Sequence, residues 1–337
     1  MTAEPDTPPL LTIAIPTYNR APRLGQCLSM LAERMSELPA LRPAIEVLVI
    51  DNASSDDTGA VAAAQAPAFE DFRYVRNQTN LGIDGNIHRC SQLASGSWVQ
   101  LLSDDDLLLP GALVRVVETI NSHPAADFVF LNMIAFREDL PPPSAWVPRI
   151  AIARDLICVD QNRLVETAGV WLTFLSSFVF RRDAWNRSTR LESYIGTDIY
   201  LSFALFDLLS QARESVVLAE PLVASRAHFS GNYRIFRAFG REWSRLLLAR
   251  APAIGFDRSR MRLLLRRTIR SDLLERVVYY RLDNGSLGTE DRENIACALA
   301  AGPSPVTVLL WLSMRLPRPA LVGAFKTARQ VRRWLRS

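Results

Sequence analysis

Ile45 to Asp56 reads I-E-V-L-V-I-D-N-A-S-S-D, a short apolar run that gives way at Asp51 to a polar cluster. Leu11 to Ile15, Phe72 to Val75 and Trp98 to Leu102 repeat the pattern of an apolar run. Between these runs lie Ala21 to Met35, Asp56 to Ala66 and Gly82 to Ala94, which have helical spacing. Such alternation predicts β-α units winding a mostly parallel, buried sheet flanked by helices, an α/β fold of Rossmann-like type. The runs end in Pro16-Thr17-Tyr18-Asn19, Asp51-Asn52-Ala53-Ser54-Ser55-Asp56 and Ser103-Asp104-Asp105-Asp106. Open parallel sheets bind ligands at the carboxyl ends of their strands, so one crevice should collect all three clusters.

Beyond Pro110 a helix is expected from Ala112 to Asn121, then a strand from Phe128 to Asn132 and a proline-rich loop from Pro141 to Pro148. A further apolar run covers Val170 to Phe180. Gly196-Thr197-Asp198 then opens a helical pattern through Leu209, and Ser215 to Leu218 reads as another strand. From Phe236 the pattern is helical and rich in arginine. The expected division is therefore a domain over residues 1–235, with one half at 10–110 and another at 111–235, followed by a helical extension over 236–337. The apolar run from Val306 to Leu312 falls short of the roughly 20 residues of a spanning helix.

The 337 residues can bury a full core without staples. Cys27, Cys90, Cys158 and Cys297 show no close pairing, which argues against a zinc knuckle or a disulfide framework and favours a reducing compartment. Met1 to Pro9 has neither the basic patch nor the apolar run of a signal peptide, so a cytoplasmic protein is expected. The net charge of +4 is unevenly placed, because no acidic residue follows Glu293. No nucleic-acid partner is expected. The loop after the first run, P-T-Y-N-R-A-P, lacks the glycine-rich signatures of a dehydrogenase or a nucleotide-sugar pyrophosphorylase.

Three adjacent carboxylates are costly, since like charges about 4 Å apart repel by roughly 4 kcal/mol at an effective dielectric of about 20. A divalent cation would relieve the repulsion. Oxygen ligands suit Mg2+ or Mn2+, which take one or two protein carboxylates and complete their shell with substrate phosphates and water. The competing reading of Asp104, Asp105 and Asp106 is a solvated acidic turn before the helix that follows Pro110.

Four motifs in order, I-P-T-Y-N at 15–19, V-I-D-N-A-S-S-D-D-T at 49–58, N-x-x-N-L-G-I-D-G-N at 77–86 and L-L-S-D-D-D-L-L-L-P at 101–110, resemble the family 2 glycosyltransferases of GT-A fold over roughly residues 10–230. L-G-I-D-G-N-I and S-D-D-D are most similar to the abequosyltransferase-like members, which transfer deoxysugars during O-antigen assembly. The resemblance makes 10–110 the nucleotide-binding half and 111–235 the acceptor half, and it implies a nucleotide-sugar pocket of Pro16, Thr17, Tyr18, Asn19, Asp51, Asn80, Gly82, Asn86 and Asp104, with Thr17 and Tyr18 beside the base and Asp51 accepting a hydrogen bond from it. A side chain at Gly82 is expected to obstruct close backbone approach to a ligand. Ordinary turn chemistry is the alternative for Tyr18 and Asn80.

Counted back from Pro110, Ser103 takes the place of the family's first aspartate, and Asp105 aligns with its metal-binding aspartate. Asp104 would lie near the ribose or the metal's water shell, Asp106 would either bind water on the ion or cap the following helix, and His228 completes the implied metal set. His228 alternatively serves as a hydrogen-bonded structural residue. Gly196-Thr197-Asp198 resembles the family's Gly-Glu-Asp motif with threonine for glutamate, which makes Asp198 the implied general base. The alternative for Asp198 is a helix N-terminal carboxylate worth about 0.3–1 kcal/mol.

On a helix, Leu321, Ala324, Phe325, Ala328, Val331 and Leu335 share a face, interrupted by Arg332, beside Lys326, Arg329, Arg333 and Arg336, so the tail would either contact anionic lipid or pack on the protein's own core. The resemblance thus implies metal-dependent, inverting transfer of a sugar from a nucleotide-sugar donor to a hydroxyl of a glycan or polyprenyl-linked glycan. The setting implied is cell-surface polysaccharide or O-antigen assembly at the inner face of the plasma membrane. Ser103 and Thr197 leave a non-catalytic nucleotide-sugar-binding or scaffolding module as the alternative.

Overall fold

The computed structural model describes residues 8–137, 139–226, 234–284, 286–321 and 323. Two compact units divide the chain, Met1–Gly231 and Asn232–Ser337.

In the first unit the β-α alternation forms as its periodicity requires. β1 (Leu11–Thr17), β2 (Ile45–Asp51), β3 (Asp71–Arg76) and β4 (Trp98–Leu101) lie parallel in the order β3-β2-β1-β4. They are joined by α1 (Ala21–Ser36), α2 (Thr58–Gln65) and α3 (Gly82–Leu93). α1 starts with Pro22 in its first turn, where a missing N–H is harmless, and buries Leu24, Cys27, Leu28, Leu31 and Met35 at helical spacing. Thr17 pairs in register with Asp51, so the polar ends of β1 and β2 emerge side by side, with that of β4 on the other flank of β1.

The second half of the unit departs from the parallel pattern. The next elements are β5 (Leu107–Leu108), α4 (Ala112–Ser122), β6 (Ala126–Phe136), β7 (Leu156–Cys158), α5 (Gln161–Ala168), β8 (Phe178–Arg181), α6 (Arg182–Trp185), α7 (Tyr200–Leu209) and β9 (Glu214–Arg226). β8 enters antiparallel between β4 and β6, β6 pairs parallel with β9, and β5 and β7 each pair antiparallel with β9. The sheet is therefore mixed.

Several expected boundaries change. The apolar run from Val170 to Phe180 begins with two tight 3-10 turns, Gly169–Thr173 and Leu175–Ser177, and only its end enters β8. β9 runs far past the four residues expected, and β5 and β7 are too short to show any periodicity. α7 opens at Tyr200, because Gly196 and Asp198 both take left-handed backbone, with φ of 88° and 65°. The proline-rich stretch is a loop with one short turn, Pro143–Ala145, steadied by the Trp146 indole N–H on the Pro141 carbonyl at 2.8 Å.

The end of the sheet opposite the polar cluster is closed by a buried charge. Glu46 lies inside the apolar run of β2, where its carboxylate accepts from the Thr12 hydroxyl and from the Ser95 N–H (2.9 Å) and hydroxyl (2.7 Å), and pairs with Arg73. Burial alone would raise its pKa, but these donors hold it below the usual carboxylate range. Gly96 passes so close to β1 that a Cβ there would lie 2.6 Å from the Thr12 nitrogen.

The second unit is helical among its described residues, with Arg258–Thr268, Leu274–Asn284, Thr289–Ala296 and Pro305–Arg315 as its α-helices of eight or more residues. Its core includes Trp243, Leu246, Leu265, Ile269, Ile295 and Leu310. Ser304 and Thr307 cap the last of these helices reciprocally. Apart from Leu321 and Gly323, the expected amphipathic tail lies outside the described residues. No helix among the described residues is long and apolar enough to cross a membrane.

Gly96→Ala should weaken the first unit by about 1–3 kcal/mol, as expected for overpacking against rigid backbone. Urea unfolding would show this as a lower midpoint, and an unchanged midpoint would mean that the β1 edge gives way freely.

Candidate active site at the carboxyl edge of the sheet

The acidic triplet sits in the turn between β4 and β5, and each of its carboxylates has a different fate. Asp104 is 3% exposed, with Oδ2 accepting from the Thr17 hydroxyl at 2.7 Å and Oδ1 from the Arg20 guanidinium at 3.0 Å. Asp105 accepts from the Ser103 hydroxyl at 2.6 Å and from Arg20 at 2.9 Å, and its side chain keeps 21% of its surface in contact with solvent. Asp106, 3% exposed, accepts from the Ser176 hydroxyl at 2.6 Å and the Arg226 N–H at 3.0 Å. Arg226 also reaches the Asp105 carbonyl with Nε at 3.3 Å and lays its guanidinium over the Phe136 ring at 4.4 Å. The acidic turn is thus wired into β1, the 3-10 turn before β8, and the end of β9, rather than left as a solvated loop.

Burial lifts Asp104 to about 6 despite the Arg20 and Thr17 contacts. Burial and the adjoining Asp105 lift Asp106 to about 7, against the donors Ser176 and Arg226. Among the described residues no three His, Cys, Asp or Glu side chains converge as a preformed metal cage. The donor set instead fits the sparse mode of Mg2+ and Mn2+, in which one or two carboxylates hold the ion and substrate phosphates supply much of the remainder. Asp105 and Asp106 both engage their two oxygens with protein donors, and they differ in access, Asp105 being partly open to solvent and Asp106 buried. His228 lies outside the described residues.

A second cluster lines the neighbouring strand ends. Asp51, 1% exposed, accepts from the Tyr74 hydroxyl at 2.6 Å and the Ser54 N–H at 2.9 Å. Asn52 donates to the Asn80 side chain at 2.9 Å and the Gly82 carbonyl at 3.2 Å, while its oxygen accepts from the Leu81 N–H and the Asn77 amide. Asn77 also donates to Asn86 at 2.9 Å, and Asn86 donates to the Ile50 carbonyl at 3.1 Å. Asn19, in left-handed backbone with φ 51°, joins this cluster to β1 by donating its N–H to Ser54 and accepting from the Ser55 N–H. Tyr18 projects outward, 44% exposed, beside the half-buried Pro16. At Gly82 the backbone conformation favours glycine, with φ 72°, while a Cβ added there would meet nothing within 4 Å, so the chain itself does not crowd that residue.

Asp198 lies in the left-handed turn before α7, and its N–H donates to Asp84 of α3 at 2.8 Å. His88, one turn further along α3, hydrogen-bonds the Tyr200 hydroxyl at 2.9 Å.

The matched family model is that of Glycosyl transferase family 2, over residues 12–181, which spans half of the chain and contains every strand end described above except that of β9. The chain belongs to glycosyl transferase family 2. It is 30% identical over 127 residues to a PGL/p-HBAD biosynthesis glycosyltransferase of Mycobacterium tuberculosis, covering 37% of this chain and 47% of that protein. An uncharacterized M. tuberculosis protein is 35% identical over 105 residues, 31% of this chain and 30% of its own length. The chain therefore matches less than half of these curated relatives. S. aureus TarS 1-349 in complex with UDP-GlcNAc shares the fold at a TM-score of 0.63 and 15% identity, covering 90% of this chain and 86% of that one. Mannosyltransferase PcManGT from Pyrobaculum calidifontis, in complex with GDP-Man and Mn2+, superposes at 0.54 and 17% identity over 98% and 84%. These comparisons support the family and not the abequosyltransferase-like subgroup within it.

Family motifs mark Asp51, Asn80, Gly82, Asn86 and the acidic triplet in the sequence. Arg20, Asn52, Asn77 and Asp84 are not among the residues singled out from the sequence, although each lies in or beside one of the four motifs. Ser176 and Arg226 are 70 and 120 residues from Asp106 and carry no local signal.

The raised carboxyls fix a sign for pH dependence. Between about pH 4, where the unfolded aspartates ionise, and pH 6–7, the folded protein holds protons that the unfolded chain has released, so stability falls as pH rises. Urea unfolding should give a lower stability at pH 8 than at pH 5, by about 1 kcal/mol from Asp104 and about 3 kcal/mol from Asp106. Asp106→Asn should flatten that slope, and a slope unaffected by the substitution would show that Asp106 is ionised throughout.

Proposed function

We propose that the chain transfers a sugar from a nucleotide-sugar donor to a hydroxyl of a glycan or lipid-linked glycan acceptor in cell-surface polysaccharide synthesis. The observation that carries this reading is the joining of Thr17, Arg20, Asp104 and Asp105 at the carboxyl edge of the sheet in a family 2 chain. The relatives add support, since the M. tuberculosis protein is named for PGL/p-HBAD biosynthesis and TarS was crystallised with UDP-GlcNAc.

The residues would divide the work by their exposure. Tyr18, Asn19, Asn80 and Gly82 are exposed and would meet the nucleotide, with Pro16 beside them, while Thr17, Asp51, Asn86 and Asp104 are buried and would hold that surface in shape. Arg20 would offer its guanidinium to the donor's phosphates. Asp105 would hold Mg2+ or Mn2+, with Asp106 and His228 in the surrounding set, and the bound ion would supply positive charge to the departing nucleoside diphosphate. Asp198 would take the proton from the acceptor hydroxyl. In a single inverting displacement the new bond forms between acceptor oxygen and anomeric carbon, the bond from that carbon to the phosphate oxygen breaks, and its electron pair leaves with the nucleoside diphosphate. On the acceptor side, Ile134, Trp146, Arg149 and Trp171 line a cavity of about 300 Å3 whose aromatic faces suit a sugar ring. The finer likeness to abequosyltransferase-like members, and with it a deoxysugar donor, rests on the L-G-I-D-G-N-I and S-D-D-D stretches. A basic tail would keep the enzyme at the inner face of the plasma membrane.

Calorimetric titration with UDP, GDP, CDP and dTDP, with and without Mn2+, should single out one nucleotide whose binding tightens with metal. Asp105→Ala should remove at least roughly tenfold of that metal-dependent affinity, the scale on which an ion's carboxylate ligand acts. Binding without turnover of any activated sugar would instead favour the non-catalytic module. Asp198→Ala should retain nucleotide binding and lose transfer by about 10²-fold or more, the range of general-base contributions. Normal transfer by that variant would remove Asp198 from the mechanism.

A further inference from the structure

The carboxylate of Asp84 has a position that the proposed chemistry does not use. It is 5% exposed, in the first turn of α3, between the Gly82 loop and Asn86. Oδ2 accepts from the Gly196 N–H at 2.9 Å and from the Asp198 N–H at 2.8 Å, and Oδ1 lies 3.4 Å from the Tyr200 N–H. These amides belong to alternate residues of one segment, two of which, Gly196 and Asp198, have positive φ. An aspartate in left-handed backbone costs free energy, and successive amides turned to one side form a concave anion site. The carboxylate fills that site and so selects the conformation. It also serves as the cap of α7, whose N-cap residue, Ile199, has no side-chain cap of its own.

We propose that Asp84 is a positioning residue that holds the Gly196–Tyr200 turn in the shape that presents the Asp198 carboxylate to the acceptor hydroxyl. The proposal rests on the reading of Asp198 as the base. α3 begins at Gly82, whose carbonyl accepts from Asn52, so the helix that helps shape the nucleotide side also fixes the base. The His88–Tyr200 hydrogen bond ties the same two helices one turn away and keeps α7 docked when Asp84 is changed.

The test uses the full chain with Asp84→Ala, Asp84→Asn, Asp198→Ala and the double variants. Its readouts are nucleoside diphosphate release from UDP-, GDP-, CDP- and dTDP-hexoses with water as acceptor, nucleotide affinity by calorimetry, and amide exchange at 194–200. Asp84→Ala should slow release about 10²-fold, change nucleotide affinity less than about threefold, and speed exchange at Gly196 and Asp198 while leaving Phe203 to Phe206 protected. Asp84→Asn keeps one acceptor oxygen and should recover about tenfold of the rate; because it is isosteric, it carries the test if the alanine variant does not fold. On an Asp198→Ala background neither Asp84 substitution should slow release further, since Asp84 acts through Asp198. Multiplying losses in the double variants, unchanged exchange at 196–200, or a loss of nucleotide affinity that matches the loss of rate would each overturn the proposal. Normal release by Asp198→Ala would instead defeat the base reading, an outcome distinct from any of these.

Discussion

Burying aspartates side by side at the end of a central strand is the constraint around which this molecule is arranged. Asp104 and Asp106 are almost wholly removed from water, and either would be untenable as a bare anion. Each is met by donors from distant parts of the chain: Thr17 and Arg20 from β1 and the loop that follows, Ser176 from the turn before β8, and Arg226 from the end of β9. Satisfying the two carboxylates therefore brings the parallel and the mixed parts of the sheet together. Asp105, between them, is left as the carboxylate open to solvent.

The residues on either side of the triplet follow from the same constraint. Ser103 stands where the family more often has another aspartate, and it donates to Asp105 where a carboxylate would repel it. Arg20 bridges Asp104 and Asp105 and so offsets part of the negative charge that the adjacent carboxylates gather.

α3 plays a comparable part between the Asn80–Gly82 loop and the turn that holds Asp198. Its first residues are held by the asparagine network of Asn52, Asn77, Asn80 and Asn86, and two residues into the helix Asp84 gathers the amides before α7. One rigid element thus carries both restraints, so the loop geometry of Asn80–Gly82 and the turn holding Asp198 share a common support. The asparagines use short amide side chains that donate and accept at once, which suits a crowded junction of strand ends.

The periodicity of the first hundred residues was sufficient to place β1 to β4 and the three helices between them, because a parallel sheet buried on both faces leaves continuous apolar runs and its helices leave a 3.6-residue repeat. Family motifs in the strand-end loops likewise marked Asp51, Asn80, Gly82 and the acidic triplet. Local sequence had no means of showing that β8 runs antiparallel, that β9 extends to Arg226, or that β5 and β7 exist, since pairing direction and two- or three-residue strands have no signature in a single run. Nor did it reveal which aspartate is accessible. Asp104, Asp105 and Asp106 are chemically identical and adjacent, and only the arrival of Thr17, Arg20, Ser176 and Arg226 from elsewhere in the chain buries two of them and leaves the third partly open to solvent.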